Sequence, residues 1–195
     1  MARRYNPAVK RRRLIFIFAL LAVIAAATWL WREERLEQRY LPQIRAAAKR
    51  YGVDPLLVKS IVWRESRFNS KARGTSGEIG LMQIQEIAAQ EWADAEHNPS
   101  FKHEHCFDPG TNALAATFYL SKLLKRYAPA DNPVPYALAD YNAGRGNVLK
   151  WNTGVAATNS EAFIGQIGFP GTKAYVKSVM RRQELYSFLG RFGWN

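Results

Sequence analysis

The chain has 195 residues and a formal charge of +12, enough length for one medium domain with its own core. The positive excess invites nucleic acid, acidic lipid or an anionic polymer as partner, but no Arg/Lys-rich recognition helix or RNA-binding signature appears, so nucleic acid is set aside. The single cysteine, Cys106, excludes an internal disulfide framework.

The charge is unevenly spread. Residues 1–39 hold 9 Lys and Arg against 3 Asp and Glu, and residues 40–195 hold 19 against 13. Arg3, Arg4, Lys10, Arg11, Arg12 and Arg13 precede an uncharged, almost wholly apolar run from Leu14 to Trp31. A run of ~18 such residues is a membrane-span candidate, and the basic flank predicts a cytoplasmic N-terminus. Trp29 and Trp31 suit the far interface. Residues 1–13 therefore read as a basic cytoplasmic segment and 14–31 as a transmembrane signal-anchor. A cleaved signal peptide is the rival, with Ala25–Ala27 as a small-residue cleavage site. Both readings export the rest of the chain.

Arg32–Arg39 is charged throughout and reads as a juxtamembrane helical stem. From Tyr40 the apolar residues become periodic: Tyr40, Ile44, Ala47, Ala48 and Tyr51 share a helix face, and Gly52 can close that helix in the left-handed conformation. Asp54 and Pro55 open the next, as cap and first helical residue. Its apolar face runs Val58, Ile61, Val62 and then Glu65. The segment "NSKARGTSGE" is a loop by composition. "IGLMQIQEIAAQEWA" predicts a restarted helix, and "DAEHNPSFKHEHCFDPG" an irregular connection. From Thr111, the residues Ala116, Leu120, Leu123, Leu124 and Tyr127 predict a helix. Pro133 and Pro135 predict punctuation before a short helix broken at Asn142–Gly146. Ser160 is expected to cap a short helix through Ile167. Tyr175, Val176, Val179, Met180 and Tyr186 mark a last amphipathic helix. No run alternates with period two and no repeat is present. Residues 40–195 read as one all-α domain.

Glu65 on an apolar helix face has two readings. It is a structural carboxylate paired with a buried arginine or a neighbouring helix end, or it is a general acid whose pKa burial has raised. Glycosidic bond cleavage needs such an acid to protonate the leaving oxygen.

Three motifs bear on that choice: "ES" at Glu65–Ser66, "GEIGLMQ" at Gly77–Gln83 and "YNAG" at Tyr141–Gly144. In this order and spacing they resemble the catalytic domain of the soluble lytic transglycosylase family, related to goose-type lysozyme, from about Tyr40 to Leu189. "FDPGTNALAATFYLSKLL" and "KAYVKSVM" belong to the same resemblance. It implies a lysozyme-like helical domain over 40–195. It makes Glu65 the catalytic glutamate. Ser66 belongs to the "ES" motif, and Gly80, Leu81, Met82 and Gln83 line the sugar cleft. Tyr141 stands near the catalytic carboxyl, Asn142 beside it, and Tyr175 is an aromatic of the last helix. Ser66, Gly80–Gln83, Tyr141, Asn142 and Tyr175 are accordingly the candidate substrate-binding residues. Leu81 and Met82 also read as core, and Tyr175 as plain packing.

The sequence departs from the family at Gly74, where many members carry a substrate-contacting serine, and at Gly171, where many carry a glutamate before the "TxxYV" pattern. Asp140 stands where a small residue is common, and opens the alternative of a second catalytic carboxylate. "HEHC" at His103–Cys106 admits a zinc reading. It lies in a loop with no second cluster at ligand spacing, and no metal or cofactor is expected.

The resemblance implies a peptidoglycan lytic transglycosylase cleaving the bond between N-acetylmuramic acid and N-acetylglucosamine to leave 1,6-anhydro ends. A lysozyme-type muramidase and a non-catalytic wall-binding scaffold are the alternatives. The expected partners are glycan strands and, through the N-terminal helix, a membrane. The expected state is a monomer, single-pass in a bacterial inner membrane with its domain in the periplasm. An envelope-spanning machine is a further partner such an anchor would permit.

Overall fold

The local signals of residues 54–66 set the direction of the chain into the site. Asp54 Oδ1 accepts from the Leu56 N–H at 2.9 Å, Pro55 takes the first helical position, and the helix runs Pro55–Ser66. The computed structural model of the chain describes residues 7–191. Arg3, Arg4 and the final Asn195 lie outside the described residues.

Eight α-helices are found among the described residues: α1 (Pro7–Tyr51), α2 (Pro55–Ser66), α3 (Glu86–Ala95), α4 (Pro109–Arg126), α5 (Val134–Ala143), α6 (Arg145–Trp151), α7 (Ser160–Gln166) and α8 (Pro170–Gly190). Two 3₁₀ turns, His103–Phe107 and Gly154–Ala157, join them. Extended structure among these residues is confined to two isolated bridges, Arg73 with Ile79 and Ile79 with Ile84. The fold is all-α, as expected. The chain divides into a unit ending at Arg39 and a second from Tyr40.

In the first unit, the apolar side chains from Leu14 to Trp29, and that of Trp31, are exposed, Phe16 by 70% and Phe18 by 69%. By length and composition this helix can cross a membrane.

In the second unit, α2 packs on α8, α4 on α3 and α5, and α5 on α8. Ile44, Val58, Ile61, Val62, Leu120 and Leu138 are fully buried among them. Each fully buried aliphatic side chain contributes ~1.5–3 kcal/mol. Tyr136 anchors the α5–α7 side: it stacks on Phe163 with centroids 4.0 Å apart, and its hydroxyl donates to the Ala156 carbonyl at 2.9 Å. Gly52 ends α1 at φ +66, where the left-handed conformation costs glycine nothing.

Four local expectations need correction. "IGLMQIQ" is not helical; the helix begins at Glu86. Gly80 at φ +79 and Gln83 at φ +49 hold this stretch in tight turns, and the buried Asn112 side chain satisfies its backbone in place of helical bonds. Pro133 and Pro135 do not punctuate before a helix. They are its cap and second residue, positions that need no N–H donor. The break after α5 is one residue, Gly144 at φ +79, with Asn142 still helical and Gly146 already in α6. The cap of α7 is Asn159, whose Oδ1 accepts from the Ala162 N–H at 2.8 Å, and Ser160 is the first helical residue.

Candidate active site

Glu65 lies in the last turn of α2, at the end of the stripe formed by Val58, Ile61 and Val62. The chain turns sharply behind it. Arg67 (φ 51) and Phe68 (φ 61) are both left-handed, a conformation that costs residues with a Cβ of order 1–2 kcal/mol each. Phe68 is 2% exposed, and its burial offsets that strain. The turn leaves the Glu65 carboxyl facing a cavity of about 420 Å³.

Four elements converge on this carboxyl. The α8 residue Tyr175 donates its hydroxyl to Glu65 Oε1 at 2.7 Å. Arg64, beside Glu65 on α2, lies 5.5 Å over the Tyr175 ring and donates to Ser178 Oγ at 3.0 Å. Glu78, from the loop before Gly80, lines the same cavity, as does Tyr141 of α5. Burial dominates the outcome and pushes the Glu65 carboxyl up from 4.5 to about 7. The Tyr175 hydrogen bond and the Arg64 charge pull it down, and the Glu78 charge pushes it up. Such a group holds a proton near neutrality and gives it up readily. Burial and the Glu65 charge raise Tyr141 and Tyr175 well above 10, so both remain neutral donors.

The expected site residues fall into two sets. Gln83, Tyr141 and Asn142 line the cavity with Glu65. Gln83 donates to the Gly80 carbonyl at 2.8 Å, and Asn142 Oδ1 accepts from the buried Thr172 hydroxyl at 2.8 Å. Tyr141 donates to the Met82 carbonyl at 2.8 Å, so the tyrosine bonded to the acid is Tyr175. Ser66, Gly80, Leu81 and Met82 lie behind the wall. The Ser66 hydroxyl donates to the Leu81 carbonyl at 2.7 Å, and Leu81 and Met82 are fully buried. At Gly80 a Cβ would meet Asn112 Nδ2 at 2.2 Å and the Cys106 carbonyl at 2.4 Å. Glycine is needed there for both space and conformation.

Asn112 escaped the sequence reading. It is fully buried, donates to the Ile79 and Cys106 carbonyls at 2.9 Å each, and accepts from the Met82 N–H at 2.8 Å. One side chain thus fastens the Gly80–Gln83 turn to α4. Its signal was an amide set among alanines in "TNALAA". Glu78, Tyr119 and Thr172 were also missed; Tyr119 lines the cavity and tilts against Tyr141 at 5.9 Å.

Asp140 is 2% exposed, and its Oδ2 accepts from Arg126 Nη1 and the Tyr127 hydroxyl at 2.7 Å each. The carboxylate that acts on Glu65 is Glu78. Gly171, in the first turn of α8, faces open space. The "HEHC" side chains have separate partners: His103 Nε2 meets the Ile84 carbonyl at 3.0 Å, and His105 Nδ1 accepts from the Lys102 N–H at 3.3 Å. Cys106 is buried, its thiol pushed up to about 12.

Residues 42–164, well over half of the chain, match the family model described as the transglycosylase SLT domain. The chain is 34% identical over 129 residues to membrane-bound lytic murein transglycosylase C of Pectobacterium atrosepticum, covering 60% of this chain and 34% of that protein. It is 33% identical over 113 residues to membrane-bound lytic murein transglycosylase F of Desulfosudis oleivorans, covering 56% and 23%. Among solved structures, lytic transglycosylase Slt of Pseudomonas aeruginosa superposes with a TM-score of 0.69 at 26% identity, over 77% of this chain and 24% of that one. The 70-kDa soluble lytic transglycosylase of Escherichia coli gives 0.65 at 28%, over 74% and 24%. The chain spans about a third of the length of the curated relatives it matches.

Proposed function

The chain belongs to the transglycosylase SLT domain family, and from that premise we propose that residues 40–195 are a peptidoglycan lytic transglycosylase domain with Glu65 as its sole acid and base. The observation that carries the reading is Glu65 itself: a partly buried carboxyl at a cleft, held by Tyr175 and pushed up to about 7.

Glu65 donates its proton to the oxygen between N-acetylmuramic acid and N-acetylglucosamine, and the C1–O bond breaks. The oxocarbenium-like state at C1 is relieved by the muramic acid's own C6 hydroxyl, whose oxygen attacks C1. Glu65, now ionised, takes that hydroxyl's proton and is restored. The products are a free 4-hydroxyl and a 1,6-anhydro ring, and no water is consumed. Tyr175 orients the carboxyl through both protonation states. Gln83, Tyr141 and Asn142 hold the sugars, and the Ser66 and Gly80–Met82 contacts keep the wall in place.

Residues 14–31 anchor the domain in the inner membrane, with 1–13 cytoplasmic, 32–39 a stem and the domain in the periplasm. The apolar, unburied α1 supports this, as do the names of the membrane-bound relatives. The protein acts as a monomer, and its anchor suits it to serve an envelope-spanning assembly.

Digestion of purified sacculi by the full-length protein, with products identified by mass, tests the reading. Anhydro ends are expected. Reducing ends, heavier by one water, would make it a muramidase, and no release at all would leave a wall-binding protein.

A further inference from the structure

The cleft is acidic in a basic domain. The acidic side chains lining it are Glu65, Glu78 and Asp140, with no lysine or arginine among the described residues of its wall. Two details show which of them supplies that acidity.

The first is Gly74. Its φ is not left-handed, so the position needs glycine for room and not for conformation. A Cβ there would lie 2.2 Å from Glu78 Oε2 and 3.0 Å from Gln83 Oε1. The Glu78 carboxylate fills the seat that a side chain at 74 would take, and the Ser76 N–H holds it at 3.0 Å. The second is Asp140. Arg126 and Tyr127 both bond its Oδ2, and its buried Oδ1 has no partner among the described residues. Arg126 balances the charge of that carboxylate, so the Asp140 wall is close to neutral and the negative charge offered to the cleft is that of Glu78. A cleft whose free charge has one sign concentrates ligands of the other.

We propose that Glu78, seated in the gap at Gly74, makes this cleft a binding site for a cationic amino sugar, a glycan residue whose 2-amino group has lost its acetyl group and carries a proton. The inference rests on the glycan reading of the cleft. Glu78 accepts a charge-assisted hydrogen bond from the ammonium. An acetylated sugar offers the same oxygen one neutral N–H and brings a carbonyl oxygen close to it.

The full-length Glu65→Gln variant, which does not consume its ligand, permits the test. Calorimetry compares fully acetylated chito-oligosaccharides with partly de-N-acetylated ones of the same length, at mildly acid pH and at two salt concentrations. The de-N-acetylated ligand is expected to bind about tenfold tighter, the advantage of one charge-assisted over one neutral bond, and to lose that advantage in high salt. The protein's charge of +12 repels a cationic ligand elsewhere, so a preference of this sign reports the cleft. Adding Glu78→Gln should abolish the preference. Gly74→Ser should do the same by displacing Glu78, with thermal melting to show that it folds; the isosteric Glu78→Gln decides if it does not. Equal or tighter binding of the acetylated ligand, or a preference that survives Glu78→Gln, overturns the proposal while leaving the glycan cleft intact. If neither ligand binds, the glycan reading fails and takes this inference with it.

Discussion

At the scale of single residues, Glu65 ties activity to stability. A carboxyl whose folded pKa is near 7 and whose unfolded value is 4.5 binds more protons in the folded state between those values. Stability therefore falls as pH rises from 4.5 to about 7 and is level beyond. The full shift corresponds to about 3 kcal/mol, and on the order of 2 kcal/mol after allowance for solvent contact. Glu65→Gln should melt like the parent at acid pH, below the unfolded value, and clearly above it at alkaline pH. Turnover of sacculi should fall by ~10²–10⁴-fold or more, since in the proposed mechanism one residue acts twice. Parent-like release of anhydromuropeptides by this variant would refute the mechanism. Tyr175→Phe tests the hydrogen bond. The phenol favours the ionised carboxyl, so its removal raises the Glu65 pKa, and the alkaline limb of the rate profile should move to higher pH. Burial alone was legible from the sequence, because the i, i+3, i+4, i+7 stripe ends on Glu65. Tyr175 as its partner was not, because a contact across 110 residues leaves no periodic trace.

At the scale of elements, the Gly80–Gln83 turn forms the back of the site. Its composition reads as helix, and local propensity loses to a tertiary contact: Asn112 supplies from α4 two hydrogen bonds, at the Ile79 carbonyl and the Met82 N–H, that a helix would have made internally, and a third ties the same amide to Cys106. Helix ends were legible where a residue acts on its own backbone, as at Gly52 and Asp54–Pro55. They were not legible where non-glycine residues adopt positive φ, as at Arg67 and Phe68, because the burial of Phe68 rather than residue type holds that turn. Asn112→Ala strands the buried Cys106 carbonyl and the buried Met82 N–H, and takes from the Ile79 carbonyl one of its two donors, the Ile84 N–H being the other. A loss of about 3 kcal/mol or more is expected in denaturant unfolding. Turnover should fall even at temperatures where the variant is fully folded, because Tyr141 is bonded to the Met82 carbonyl in the same turn. Full activity in the folded variant would show that the turn keeps its shape without the amide.

At the scale of the whole molecule, the chain joins two parts that answer to different solvents. The exposed apolar surface of Leu14–Trp29 is unfavourable in water and suited to lipid. The unit from Tyr40 carries its own buried core, which begins at Tyr40 itself and continues through Leu41 and Ile44. Starting the chain at Tyr40 should therefore give a soluble protein that unfolds cooperatively and still digests sacculi. Starting it at Gly52 should not, because Ile44, Ala47 and Ala48, all buried, would be lost from the core. The anchor itself is tested by orientation. If the basic residues before Leu14 hold that end in the cytoplasm, as proposed, a reporter fused after Asn195 should be active only outside it. Replacing Lys10 and Arg11–Arg13 with neutral residues should weaken that bias and produce a mixed orientation. If the reporter is active in the cytoplasm with the basic residues intact, the domain never meets the cell wall, and the proposed substrate is out of its reach.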